Sequence, residues 1–207
     1  MVSCEYLQNP RTRTVGVIGM RKSTAKKMRV DREVYLQQQR REALEKDIFL
    51  AAAHEAGHAL AYMLSGVGVE YVTVERRTVE HNGQQMLSSG FTQPLPRPLT
   101  KETIEQEAIC IMAGPAAEDM FNGEARSGSA GDIDNLRASA RHVGLSDDET
   151  VELTTSAYRS AWELVDKCFE PVKKIAFELM TKGRIEGDAV KAIIENTEKN
   201  PVKAEES

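Results

Sequence analysis

His54 and His58 stand four residues apart, with Glu55 directly after the first. On an α-helix, residues i and i+4 lie on one face, one turn apart, so two imidazoles at this spacing can reach one metal ion. Neutral imidazole nitrogen suits zinc. Glu55 lies about 100° round the helix from His54, close enough to touch a metal-bound water without ligating the metal. Zinc lowers the pKa of such a water towards about 7, and a glutamate can take its proton and pass it to a leaving amine. That is the chemistry of amide hydrolysis. The pattern HExxH also arises by coincidence, so an Ala-rich helix carrying two histidines is the plain alternative. Two features favour the metal. The helix is otherwise apolar, and buried polar groups need partners. Small residues, Ala56 and Gly57, separate the histidines. Glycine in a helix interior costs about 1 kcal/mol relative to alanine, which suggests a close approach by another backbone or by substrate.

A catalytic zinc takes three protein ligands and keeps one position open. Of the other histidines, His81 falls in a turn, and His142, beside Arg141 in a late helix, reads as surface. Asp132 and Asp134 follow a Gly/Ser-rich loop, at the start of a helix whose apolar stripe is Ile133, Leu136, Ala140 and Val143. Asp132 lies one turn before Leu136 and faces inward, whereas Asp134 points nearly the opposite way. On spacing alone Asp132 reads either as the third ligand or as a helix N-terminal carboxylate favoured by the macrodipole.

The elements that must position these residues read as mostly helical. Apolar residues recur at helical spacing over 47–65 (Phe49, Ala52, Ala53, Ala56, Leu60, Met63, Leu64), ahead of the breakers Ser65, Gly66 and Gly68. Residues 31–47 are good helix formers that lead into it, while residues 1–30 show no clear periodicity. Segments 70–79 and 84–93 read as two strands around an HNG turn at 81–83. A helix over 101–113 follows, with Thr100 as its N-cap, and Gly114-Pro115 interrupts before a further turn or two. The loop 122–131 precedes helices at 132–144, about 147–167, about 169–182 and about 187–196, then a polar tail. The fold class is mainly α, with one small β-sheet beside the helix that carries the histidines. The organisation is a basic extension over 1–43, a domain over 44–197 and a tail over 198–207.

Bulk properties narrow the function classes. With 41% hydrophobic residues the chain can bury a sizeable core, and with only 5% aromatics Ala, Leu, Ile, Val and Met must fill it, which favours helices over a β-sandwich. Residues 1–47 hold 11 Lys or Arg against 6 Asp or Glu, a balance of +5, and the rest holds 16 against 26, a balance of −10. No aromatics interleave with the basic arm to stack on bases, so nucleic acid is not an expected partner. Cys4, Cys110 and Cys168 are far apart and form no CxxC pair, against a disulfide framework and in keeping with a reducing compartment. The N-terminus has no apolar signal-peptide core. The most apolar stretch, IFLAAAHEAGHALAYML, is too short and polar for a membrane span. The expectation is a cytoplasmic protein. GVIGMRKS (16–23) approaches a phosphate loop, but Arg21 stands where the second glycine is required.

Taken in order, HEAGHAL, VEYVTVERR, SSGFTQPLP, IMAGPAAEDMF, SGSAGDIDNLRASAR and GLS resemble the zinc-peptidase domain of FtsH-type ATP-dependent proteases, over roughly residues 44–197. The resemblance implies that Zn2+ is bound by His54, His58 and Asp132 and that Glu55 is catalytic. It implies that Glu118 holds a zinc-binding histidine by its second ring nitrogen. It also implies that Gly90, Phe91 and Thr92 form a strand edge to which an extended peptide adds. The family's transmembrane anchor and ATPase module have no counterpart in these 207 residues. Pro115 stands where the family usually has arginine, and the helix DIDNLRASARHVG reaches GLS sooner. These departures bear on ring assembly rather than on the metal site. The implied activity is a zinc-dependent endopeptidase acting on peptides or unfolded protein, which a partner ATPase in trans could feed and which could form a homo-oligomeric ring. The alternative is a catalytically weak zinc-binding interaction module that docks with a related protease or partner ATPase.

Overall fold

The computed structural model describes residues 18–81, 84–123 and 129–199. The chain divides into two compact units, Met1–Leu44 and Glu45–Ser207. Helix α1 spans Ile18–Leu64, so residues 18–30 are helical where the sequence pattern showed no periodicity. Lys, Arg, Met and Ala are adequate helix formers without an apolar stripe. Residues 33–44 of the first unit are exposed all round, which is why no amphipathic repeat marks them. Residues 1–17, including Gly16 and Val17 of the near phosphate loop, and the last part of the tail lie outside the described residues.

In the second unit the rest of α1 is the central core element. Leu50, Ala52, Ala53, Ala56, Ala59, Leu60 and Ala61 are all 2% exposed or less. The helix ends where Ser65 caps it, its N–H on Ala61 O and its hydroxyl on Tyr62 O. Five strands follow in the chain: β1 (Val69–Thr73), β2 (Arg77–His81), β3 (Gln84–Ser88), β4 (Phe91–Pro94) and, much later, β5 (Arg184–Glu186). The strands expected at 70–79 and 84–93 are each broken in two. Their inner halves pair as β1–β4, with Val72 opposite Thr92, and their outer halves pair as a separate ribbon, β2–β3. The break lies at Ser89-Gly90 on one strand. On the other, Val74 N–H turns to Gly183 O and Glu75 N–H to Thr73 Oγ1. The small sheet runs β4-β1-β5, antiparallel throughout. Three residues are too few to give β5 a readable alternation.

Helix α2 (Ile104–Asn122) carries Pro115 inside it and runs on unbroken. This corrects the expected interruption at Gly114-Pro115. The segment 110–118 is wholly buried, so tertiary packing retains the helix despite the missing proline donor. Its start also differs. Thr103 Oγ1 accepts from Thr100 N–H, closing a separate turn, and the helix begins at Ile104, three residues later than expected, with Thr103 rather than Thr100 at its N-cap. Helices α3 (Ala130–His142), α4 (Asp147–Lys167), α5 (Phe169–Lys182) and α6 (Gly187–Lys199) complete the unit. Ser146 and Glu149 form a full capping box at α4. Leu153, Ala157, Ala161 and Val165 lie on the buried face of α4, which packs extensively on α2. Phe121 of α2 meets Phe49 of α1 edge-on and stacks on Phe169 of α5. The architecture is thus mainly helical with a small three-stranded antiparallel sheet.

Close contact between α1 and α2 depends on missing side chains. A Cβ at Gly57 would fall 2.2 Å from Ala113 O and 2.8 Å from Ala117 Cβ. The close approach implied by this glycine is therefore made by a second backbone. Gly57→Ala should lower unfolding free energy by about 1–3 kcal/mol, the usual cost of overpacking, read as a reduced urea midpoint. An unchanged midpoint would show that the helices part freely.

Candidate metal centre

Three elements converge on one side of α1. His54 and His58 project from it one turn apart, with ring centroids 4.7 Å apart and Nε2 atoms 3.1 Å apart. Asp132, in the first turn of α3, brings Oδ2 to 3.0 Å from His54 Nε2 and Oδ1 to 3.5 Å from His58 Nε2. The helix starts at Ala130, two residues before the expected 132, yet Asp132 faces inward as its spacing predicts. Asp134 instead pairs with Arg137 at the surface. His142 is exposed, and His81 ends β2.

Each ring is turned by its other nitrogen. His58 Nδ1 lies 2.9 Å from the Cys110 carbonyl, which can only accept, so Nδ1 carries the proton and Nε2 presents a lone pair. His54 Nδ1 lies 3.1 Å from Glu118 Oε2, a carboxylate that imposes the same arrangement. Glu118 is 5% exposed and stands beside Asp119, which accepts from Tyr158 of α4. Gly114 makes room for the second ring, since a Cβ there would fall 2.3 Å from His58 Nε2. The Cys110 carbonyl has no side-chain signature, and no sequence pattern could have marked it. Glu118 had one only through its family resemblance.

Glu55, 8% exposed, is held from the sheet side. Thr92 Oγ1 lies 2.8 Å from Glu55 Oε2 and 3.1 Å from Glu55 O, and donates to this residue alone. A Cβ at Gly90 would lie 2.6 Å from Glu55 Cγ, so the bend that breaks the strand is also what admits the glutamate. Gly90, Phe91 and Thr92 line the same cleft as His54, Glu55, His58 and Asp132, a cavity of about 1060 Å³.

With both Nδ1 atoms donating, Asp132 Oδ2 is a buried acceptor that meets lone pairs rather than donors and has no hydrogen-bond partner. Two imidazole nitrogens and a carboxylate, with ligand atoms within 4.8 Å of one another, could hold a cation between them. This donor set fits zinc. A proton answers the same need. Burial alone would depress the His54 imidazole, but Asp132 and then Glu118 outweigh it and push its pKa up to about 10. Burial likewise opposes protonation of His58, and Asp132 raises its pKa nonetheless. For Asp132 burial pulls upward, and the two histidines hold it below its ordinary value. Glu55 is raised, chiefly by burial.

Fold and site together define a mainly helical domain with a part-buried His-His-Asp cluster, its histidines on the central helix and its aspartate on α3. No family model matches the chain. Among curated proteins it is similar to the ATP-dependent zinc metalloprotease FtsH of Opitutus terrae, 37% identical over 109 residues, which are 51% of this chain and 17% of that protein. It is also similar to the FtsH of Thermotoga maritima, 25% identical over 192 residues (72% of this chain, 31% of that protein), and to FtsH 1 of Thermomicrobium roseum, 24% identical over 201 residues (76% and 30%). These matches support an FtsH-related region. The chain spans between 17% and 31% of the length of these relatives. No helix among the described residues is long and apolar enough to cross a membrane.

The electrostatics predict the pH response of chelator-treated protein. The folded pKa of His54 lies above its ordinary value of 6.5, at about 10. Its stabilising charge is fully present below pH 6.5 and is lost as pH rises through about 10. Thermal midpoints in EDTA should therefore fall over that window, and the His54 ring proton should titrate far above 6.5 by NMR. A His54 midpoint at 6.5 would contradict the geometry.

Proposed function

We propose that this domain is a zinc-dependent endopeptidase acting on peptides or unfolded protein segments. One observation carries the reading: the buried Asp132 Oδ2, without a donor, faces His54 Nε2 at 3.0 Å beside the converging His58 ring. His54, His58 and Asp132 would hold the ion, and Glu118 and the Cys110 carbonyl would keep the two rings turned to it. When bound, zinc supplies Lewis-acid charge for the scissile carbonyl and acidifies water.

The chain's own groups do the rest. Glu55 takes one proton from the attacking water as its oxygen bonds to the carbonyl carbon. It delivers that proton to the amine nitrogen as the C–N bond breaks. Burial raises the Glu55 pKa, which favours its taking up the proton. The hydroxyl of Thr92 orients the carboxylate. Strand β4 is an outer strand of its sheet, so Gly90, Phe91 and Thr92 would receive an extended peptide backbone with little demand on its sequence. The relatives are named as ATP-dependent proteases, which motivates a partner ATPase as the source of unfolded substrate. A pure interaction module has no need of a buried glutamate aimed by Thr92 and accommodated by Gly90, and this weighs against that alternative.

Zinc content and cleavage of casein or a labelled peptide test the reading. Glu55→Gln should retain zinc and lose about a hundredfold to ten-thousandfold in rate, and Asp132→Asn should lose zinc. Equal cleavage by wild type and Glu55→Gln would reject the mechanism. Glu118→Gln should weaken zinc binding by about 10–100-fold, measured by competition with a chromogenic chelator. Unchanged affinity would remove Glu118 from the account.

A further inference from the structure

The cleft continues along α1 past His58. Tyr62 follows one turn later, about 6 Å along the axis, and lines the cleft with Pro94, Glu107 and Ile111. It is 7% exposed. Its hydroxyl donates to Glu107 Oε1 at 2.8 Å. Burial, then the Glu107 carboxylate, raises the phenol's pKa, so the hydroxyl stays a donor. Glu107 Oε2 accepts from Arg97 Nη2 at 2.5 Å and from Nε at 3.2 Å. Arg97 Nη1 donates to Gln106, whose amide donates to Ser65 O at the end of α1. The carboxylate is thus fixed at the cleft wall by groups from α1, α2 and the segment after β4.

A carboxylate offers about four lone-pair sites. Tyr62 uses one on Oε1 and Arg97 uses those on Oε2, which leaves capacity on the Oε1 side. The charged residues lining the cleft are Asp47, Glu55, Glu107, Glu118 and Asp132, and among the described lining residues there is no Lys or Arg. An aromatic ring, a proline and an isoleucine beside a tethered carboxylate suit a side chain with an apolar stem and a cationic head.

We infer that Glu107, held by Tyr62 and Arg97, is a specificity-determining residue that receives a Lys or Arg side chain of the bound peptide. At about 3.3 Å per extended residue, that side chain lies roughly two residues from the peptide bond facing the metal cluster. This rests on reading the cleft as a peptide groove, and it adds a substrate class to it.

The test reads binding rather than turnover. Zinc-supplied Glu55→Gln protein is titrated into labelled peptides in which a single Lys is walked through an uncharged sequence, with Gln and Glu versions of each. At one position Lys should bind about tenfold tighter than Gln, the worth of one charge-assisted hydrogen bond, and Glu should bind more weakly still. Adding Glu107→Gln should erase the Lys preference, whereas adding Arg97→Gln, which removes the competing cation, should widen it. Two substitutions in one network that move the preference in opposite directions cannot both act by loosening the fold. Equal binding of Lys and Gln peptides at every position, or no binding of any peptide, overturns the inference. A Lys preference that Glu107→Gln leaves intact does so too. A Lys preference in a protein whose wild type cleaves nothing would keep the subsite and reject the peptidase.

Discussion

Everything at the site depends on how closely α2 lies against the histidine face of α1. Gly57 lets the Ala113 carbonyl come within a distance that no side chain would permit, and Gly114 clears the space for the His58 ring. That contact is what brings the Cys110 carbonyl to His58 Nδ1 and Glu118 to His54 Nδ1. The two helices therefore fix the ring orientations as a consequence of their packing, before any ion is considered. A wider crossing would leave the imidazoles free to rotate and their Nε2 lone pairs free to diverge.

The resulting cluster is electrostatically unfinished. Two lone pairs 3.1 Å apart and a buried carboxylate oxygen lacking a donor raise the energy of the folded state unless positive charge enters. The upward shifts of His54 and His58 and the downward shift of Asp132 express the same demand, met by a proton. A divalent ion would meet the same demand, with protons released as it bound. Glu55 is set apart from this demand. Thr92 and the bend at Gly90 hold it on the sheet side, where it borders the cleft apart from the His-His-Asp cluster.

Much of this was legible in the sequence, for identifiable reasons. The i, i+4 spacing on an apolar helix put His54 and His58 on one face, and the stripe of the later helix turned Asp132 inward and Asp134 out. Helices α4 to α6 have strong amphipathic faces or caps, and their extents follow closely from the residues. What stayed hidden was tertiary in origin. The two strands break where Gly90 yields to Glu55 and where Val74 turns to Gly183, contacts made by residues far away in the chain. Pro115 reads as a helix breaker, and only burial on all sides keeps α2 intact through it. A backbone carbonyl such as that of Cys110 carries no residue-type signal. The Tyr62–Glu107–Arg97 network joins positions 45 and 10 residues apart whose types, taken singly, suggest no such link.

We propose that one ion sits among His54, His58 and Asp132. X-ray absorption at the zinc edge of the zinc-loaded protein addresses it directly. The claim predicts only nitrogen and oxygen neighbours, with an imidazole contribution equivalent to two histidines at about 2.0–2.1 Å. That contribution should halve in His58→Ala. A sulfur shell at about 2.3 Å, or a spectrum unchanged by His58→Ala, would contradict it.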